Sequence, residues 1–312
     1  MEIYQGIERV PTGIDATVAT IGNYDGIHLG HRAVLETVRA EAKRTGAPAL
    51  VITFDPHPVA ILRPDAAPAL LCTRRQKLDL LNSLGMDAVL FLDFDASTAA
   101  LDGRDWFAQE LSPDLPLRAV HVGANFRFGR GRKGDLDLLR AIGSDFGFQV
   151  TGHEAVEADG GPISSSRIRT AVREGRVAEA ARWLGRGFAL DGTVVRGEGR
   201  GRTLDFPTAN LDVENELLPA RGVYVTETGG RGRRWPSITN VGVHPTFGGQ
   251  ATVVETHCLD VDVDLYDERL EIAFLDGLRE EKRFPDAAAL TAQIRSDRDA
   301  ALAWFRRERA WI

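Results

Sequence analysis

Through Leu184 the chain keeps returning to one pattern: a short β-branched or aliphatic run, a longer amphipathic run, then a turn rich in Gly, Pro or Asp. Parallel strands need long crossovers, usually helices, so this alternation points to an open α/β domain with a parallel sheet. Strands are expected over residues 18–21, 49–54, 88–94, 119–122 and 148–153. Helical spacing of apolar residues predicts helices over 33–44, 74–84, 105–111 and 136–146, followed by two consecutive helices over 164–175 and 177–185.

Beyond Arg186 the texture changes to short alternating segments at 189–195, 222–228, 237–243, 252–259 and 270–274. Gly, Pro and Asp turns between them predict an antiparallel barrel or sandwich. Residues 286–311, with Leu290, Ile294, Ala301, Leu302 and Phe305 on one stripe, predict a helix packed on it. Two domains are therefore expected, 1–186 and 187–312.

Charge narrows the partners. The net charge of −7 over 312 residues is shared by two mildly acidic halves, which disfavours nucleic acid or an anionic membrane as partner and makes any phosphate affinity local. No apolar run approaches the ~20 residues of a membrane span. Residues 1–10 lack the apolar core of a secretory signal. Cys72 and Cys258 match no metal spacing and read as buried free thiols, so a reduced, cytoplasmic protein is expected. A homo-oligomer, if formed, is expected to be weak.

The first strand runs into Gly22-Asn23-Tyr24-Asp25-Gly26-Ile27-His28-Leu29-Gly30-His31 and then a helix. Glycines let the backbone approach a ligand, and the helix start aims N–H groups at it, so the turn suits an anion. His28 and His31, three apart, face the same way if the turn is already helical and both rings could donate to phosphate. A zinc pair completed by His57, or two surface histidines, are the alternatives.

His-x-Gly-His after a first strand resembles nucleotidyltransferases. The whole stretch is similar to the FMN adenylyltransferase half of the bacterial bifunctional riboflavin kinase/FMN adenylyltransferases (FAD synthetases). Thr53-Phe-Asp-Pro-His-Pro58, Val122-Gly-Ala-Asn-Phe-Arg-Phe-Gly129 and Ile163-Ser-Ser-Ser-Arg-Ile-Arg169 agree with that family in order and spacing. The resemblance implies ATP bound at Gly22, Asn23, Asp25, His28, Gly30 and His31, with Ser164, Ser165, Ser166 and Arg167 on its other side and Asn125 on nucleotide or metal-bound water. A serine-opened helix start and a planar arginine fork fit a phosphate chain. For the flavin ring, Pro56 and Pro58 supply rigid walls and Trp106, Phe126 and Phe128 supply aromatics, with Phe128 and Trp106 ranked above Phe126. Simple core packing is the alternative for each aromatic.

In the second half, Gly197, Gly199 and Gly201 interleave with Arg196, Arg200 and Arg202 as a mobile basic flap suited to phosphates. Phe206-Pro-Thr-Ala-Asn210 then places a hydroxyl and an amide two residues apart, hard oxygens of the kind magnesium prefers. This stretch resembles the riboflavin kinase domain. The match continues through Pro219-Ala-Arg-Gly-Val-Tyr224, Asn240-Val-Gly-Val-His-Pro-Thr-Phe247, Val254-Glu-Thr-His257 and Asp264-Leu-Tyr266. It implies that Gly197, Gly199, Gly201 and Arg202 cover ATP, that Thr208 and Asn210 hold Mg2+ with ATP, and that Glu255 is the base for the riboflavin hydroxyl. Two activities are expected: riboflavin and ATP giving FMN and ADP, and FMN and ATP giving FAD and pyrophosphate. Asp205 stands where the family usually has Gly, so adenylyl transfer alone, beside a weakened kinase, is one alternative. A non-catalytic flavin-binding regulator is the other.

Overall fold

The structure, a computed structural model, describes residues 1–11, 16–111, 115–196, 206–246, 249–261 and 263–309. It divides into two compact units, Met1–Ala69 with Arg74–Ser164, and Leu70–Thr73 with Ser165–Ile312.

The first unit contains β1 (Glu2–Gln5), β2 (Thr17–Ile21), α1 (Leu29–Thr45), β3 (Ala49–Asp55), α2 (Pro58–Leu62), α3 (Arg74–Ser83), β4 (Ala88–Asp93), α4 (Ala96–Ala100), α5 (Gly103–Glu110), β5 (Leu117–Gly123), α6 (Leu136–Phe146) and β6 (Gln149–His153). Two short strands, β7 (Glu157–Ala158) and β8 (Gly161–Pro162), follow as a hairpin. The main sheet has the order β1-β4-β3-β2-β5-β6, with every pair parallel. Its central strands are buried on both faces, and their period-two alternation sorts the core into two layers. Ala19, Ile21, Leu50, Ile52, Leu90, Leu92, Val120 and Val122 pack with Trp106 and Phe107 of α5 and Leu139 and Ile142 of α6. Val18, Ala49, Val51, Val89, Phe91 and Ala119 pack on the other face with Val34, Leu35 and Val38 of α1 and Leu81 of α3.

β2 pairs with β3 on one side and β5 on the other. The chain leaves β2 towards β3 and later returns to its opposite side as β5. In such sheets a crevice opens beyond the carboxyl ends of the two strands where the direction reverses. The Gly22–His31 turn leaves β2 at that end.

The second unit begins with α7 (Ser165–Arg173) and α8 (Val177–Leu184). The sequence boundary at Arg186 and the packing boundary after Ser164 thus differ. The two helices pack on each other, and α8 packs against barrel strands. Helical texture shows that such a segment has an apolar face but not which neighbour covers it. The barrel is closed and antiparallel, in the order β10-β13-β12-β11-β14-β9, with β9 (Phe188–Val195), β10 (Ala209–Val213), β11 (Gly222–Gly230), β12 (Arg233–Thr246), β13 (Gly249–Cys258) and β14 (Arg269–Glu280). Strand β10, which the sequence reading leaves as a turn and extended segment, closes the ring by pairing with both β9 and β13.

Buried hydroxyls of Thr226, Thr228, Ser237, Thr239 and Thr256 satisfy one another at 2.7–3.1 Å. A final helix, α9 (Ala287–Arg309), packs Ala301 and Phe305 on Val225, Ile238 and Leu259. Arg279 of β14 clamps it by donating to Asp297, Nη2 to Oδ2 at 2.8 Å, where the side chains are only 18% and 6% exposed. Removing one partner strands the other charge in a poorly solvated site, so Asp297→Ala is expected to cost about 3 kcal/mol of barrel stability. Urea unfolding of the two proteins checks this, and a loss under about 1 kcal/mol, the range of a surface ion pair, would show that the clamp adds little to the apolar contacts.

Candidate active sites

The turn after β2 is held in an unusual backbone shape. Gly26 has φ of 81°, but Tyr24 at 48° and Ile27 at 38° also take positive φ, which costs a side-chain-bearing residue energy unless the surroundings impose it. The restraint on Tyr24 is visible. Thr20 Oγ1 donates to the His121 carbonyl at 2.6 Å, so the buried Tyr24 hydroxyl must donate in turn to Thr20 Oγ1. Burial raises the phenol pKa and keeps that donor protonated.

His28 caps α1, its Nδ1 accepting from the His31 N–H at 3.2 Å. An accepting Nδ1 leaves the ring proton on Nε2. Gly30 permits this fold-back, since a Cβ there would lie 3.1 Å from His28 Cε1. The His28 and His31 rings stack at 3.7 Å and 15°, and Tyr24 leans on His31 at 4.9 Å. His31 Nδ1 is buried with no hydrogen-bond partner. Burial, then His28, then Lys77 hold its pKa well below the usual 6.5, so the ring is neutral at physiological pH. Two stacked imidazoles thus stand at a helix start with one buried nitrogen unpartnered, an arrangement with the chemistry to suit an anion.

The zinc alternative does not gain its third ligand. His57 caps α2 by accepting from Val59 N–H at Nδ1, and its Nε2 lies 3.1 Å from the Asn23 amide. No group of three His, Cys, Asp or Glu among the described residues is arranged for a metal. The main-chain carbonyl of Asn23 accepts from Thr53 Oγ1 at 3.2 Å and Lys77 Nζ at 2.8 Å. Lys77 was not legible as a site residue, because a lysine on an amphipathic helix reads as solvated.

Asn125 is exposed, in a turn closed by Phe126 N–H on the Gly123 carbonyl at 2.9 Å. Pro58 opens α2, and Pro56 precedes it after a cis Asp55–Pro56 bond. The ranking of the aromatics reverses on exposure. Trp106 and Phe128 are 3% and 7% exposed and belong to the core, whereas Phe126 is half-buried and stacks on Phe128 at 5.4 Å. Trp106 and Phe128 therefore serve the core, and Phe126, packed against that core, is the more exposed of the three rings. Ser164 ends the first unit, while Ser165, Ser166 and Arg167 open α7 in the second, where the Arg167 guanidinium lies 4.1 Å over the Trp183 ring.

In the barrel, Asn210 of β10 and Asn240 of β12 stand in register on either side of Glu255 of β13. Residues directly opposite on antiparallel strands face the same way with Cβ atoms about 5 Å apart. Thr208 lies two residues before Asn210, and its segment is tied down by His257, whose Nδ1 bonds the Pro207 carbonyl at 2.8 Å while its ring meets Phe206 edge-on at 5.6 Å. The register thus sets an amide beside a carboxylate, with a hydroxyl two residues along the same segment, hard oxygen donors of the kind that fit Mg2+ carried in with a nucleotide. His257 is a second residue whose part the sequence hid. Beside these strands is a cavity lined by Val194, Thr208, Thr256, Cys258, Asp264 and Tyr266. Gly197, Gly199, Gly201, Arg202 and Asp205 lie outside the described residues.

Burial pushes the Cys258 thiol up to about 11. At pH 8 its thiolate fraction falls roughly two-hundredfold below that of an ordinary cysteine, so alkylation of the folded protein should slow by at least that factor relative to the urea-unfolded chain. Mass mapping of iodoacetamide adducts over time checks it, and equal rates in the two states would refute the burial argument.

The chain is similar to known proteins along nearly its whole length. The FAD synthetase family matches residues 11–167, and the riboflavin kinase family matches residues 184–305. The bifunctional riboflavin kinase/FMN adenylyltransferase of Escherichia coli K12 is 37% identical over 98% of both chains. That of Pseudomonas fluorescens is 37% identical over 97% of both. A crystal structure from Streptococcus pneumoniae, named as a macrolide-efflux protein, matches with a TM-score of 0.87 at 27% identity, covering 97% of this chain and 100% of that one. Among the described residues here no helix is long and apolar enough to cross a membrane, and that likeness speaks to the fold. With both family matches in order and relatives aligned end to end, the chain belongs to the bifunctional riboflavin kinase/FMN adenylyltransferase family.

Proposed function

We propose that this chain converts riboflavin and ATP to FMN and ADP on the barrel, and FMN and ATP to FAD and pyrophosphate at the histidine pair. The stretch matching FAD synthetase would carry the second step and the stretch matching riboflavin kinase the first, a division of sequence near Arg186. The observation carrying the reading is the stacked His28–His31 pair, with its buried unpartnered Nδ1, at the reversal point of the sheet.

In adenylyl transfer an FMN phosphate oxygen attacks the α-phosphorus of ATP, and the bond to the departing pyrophosphate breaks. The attacking oxygen is already anionic near neutral pH, so the site needs donors rather than a base. A His31 held neutral suits that role, since it keeps one ring N–H to give and is a poor proton acceptor at that pH. In the kinase reaction the nucleophile is a neutral alcohol. Glu255 would take the riboflavin hydroxyl proton as that oxygen attacks the γ-phosphorus. Thr208 and Asn210 would hold Mg2+, which when bound offsets phosphate charge.

Small molecules are the partners this reading requires. The acidic balance argues against nucleic acid, and two buried thiols suit a cytoplasmic setting. Chromatography of riboflavin, ATP and Mg2+ incubated with the protein tests the whole reading. FMN, FAD, ADP and pyrophosphate together support it. FAD from supplied FMN but no FMN from riboflavin would leave adenylyl transfer alone, and bound flavin with ATP unconsumed would leave a regulator.

A further inference from the structure

The histidine pair has the donors for a phosphate chain but not the charge. His28 spends Nδ1 on the helix cap, and His31 is held neutral, so neither ring brings the full positive charge that a triphosphate calls for. The same turn contains a buried carboxylate, Asp25. A cation reaches this turn from elsewhere in the first unit. Lys77, on α3, extends to the turn and donates through Nζ to the Asn23 carbonyl at 2.8 Å. A half-buried ammonium has normally found a carboxylate, because burying an uncompensated charge is costly. Among the described residues, no carboxylate pairs with Lys77. Its hydrogen-bond partner, the Asn23 carbonyl, is neutral, so the ammonium brings a positive charge to the turn that no ion pair consumes.

We propose that Lys77 is a further residue of the adenylyl-transfer site, pinning the nucleotide turn through Asn23 and supplying the phosphate chain of ATP with the positive charge that His28 and His31 lack. This rests on the adenylyltransferase reading of the histidine pair. Three expectations follow from a charge role. ATP should bind less well without the ammonium, the gap between wild type and a neutral variant should widen as salt is lowered, and a neutral donor at the same place should not restore binding.

The test uses the full chain and three variants, Lys77→Met, Lys77→Gln and Lys77→Arg, assayed for FAD and pyrophosphate from FMN and ATP. Circular dichroism melts report that the first unit, which carries Lys77, is folded, and phosphorylation of riboflavin in the same samples reports the barrel unit. Lys77→Met is expected to lose on the order of 30-fold or more in kcat/KM for ATP, the scale of one charge-assisted hydrogen bond. Most of the loss should appear as a raised KM for ATP, with riboflavin phosphorylation within about twofold of wild type, because Lys77 belongs to the first unit and the kinase residues to the second. Lys77→Gln, which keeps an N–H for Asn23 but no charge, should be as poor as Lys77→Met, and Lys77→Arg should recover most of the loss. Wild-type behaviour in Lys77→Gln would overturn the charge role, and wild-type behaviour in Lys77→Met would overturn the proposal entirely. A wild-type chain that makes no FAD from FMN and ATP would instead sink the adenylyltransferase reading itself.

Discussion

Replacing His28 and His31 together by alanine is expected to abolish FAD formation while riboflavin phosphorylation continues at nearly its normal rate. The stacked rings place two imidazoles at the start of α1, with one nitrogen buried and unpartnered, and in the family's reaction the transition state gathers charge on phosphate oxygens. Losing both donors should cost at least ~3 kcal/mol of transition-state stabilisation, more than a hundredfold in rate. The substitution also removes a helix cap, worth about 1 kcal/mol. Helix α1 should survive that, because Val34, Leu35, Val38 and Ala42 are buried in the core. A companion variant separates the two effects. His28→Asn keeps a side-chain acceptor for the His31 N–H but loses the ring, so it should be as stable as wild type and still poor in FAD synthesis. Riboflavin supplied with ATP should let the double variant accumulate FMN. Equal loss of both activities in a folded double variant would remove the basis for two separate sites.

How much of this could be read in the sequence depends on whether a residue's part is local. The parallel strands of the first unit were legible because both faces are buried and leave β-branched runs of predictable length. β1 was not, since Glu2–Gln5 is an exposed edge strand with two apolar residues, and only its register against β4 defines it. β10 was hidden by Pro207 and the flanking turn residues, although its pairing is what closes the barrel. The glycine-rich histidine turn was legible because glycine spacing and a helix start constrain the backbone directly. The neutrality of His31 was not, for it comes first from burial, then from the charges of His28 and of Lys77, the latter 46 positions away in the sequence. Likewise the aromatics Trp106, Phe126 and Phe128 are alike in sequence and separate only by exposure.

The second large effect is expected at Glu255. Glu255→Gln should lower FMN formation from riboflavin by roughly a hundred- to ten-thousand-fold, the range for a lost general base, while supplied FMN is still converted to FAD. The argument starts from register. Glu255 lies between Asn210 and Asn240 on adjacent strands, so its neighbours at that level are amides. Amide neighbours can accept a glutamine in place of the carboxylate, and the change removes charge and basicity with almost no change in volume. The barrel interior behind it, built on the Thr226, Ser237 and Thr239 hydroxyls, is untouched. Misfolding is therefore a poor explanation for any loss, and thermal melts of the two proteins should coincide within a few degrees. A carboxylate that served only to bind Mg2+ with Thr208 and Asn210 would give a different result, because extra Mg2+ would restore the rate. A lost base is not replaced by metal, so the deficit should persist at saturating Mg2+ and shrink only as rising pH supplies hydroxide. Recovery on adding Mg2+ would move Glu255 from proton acceptor to metal support, and an undiminished rate would make it a structural residue of β13.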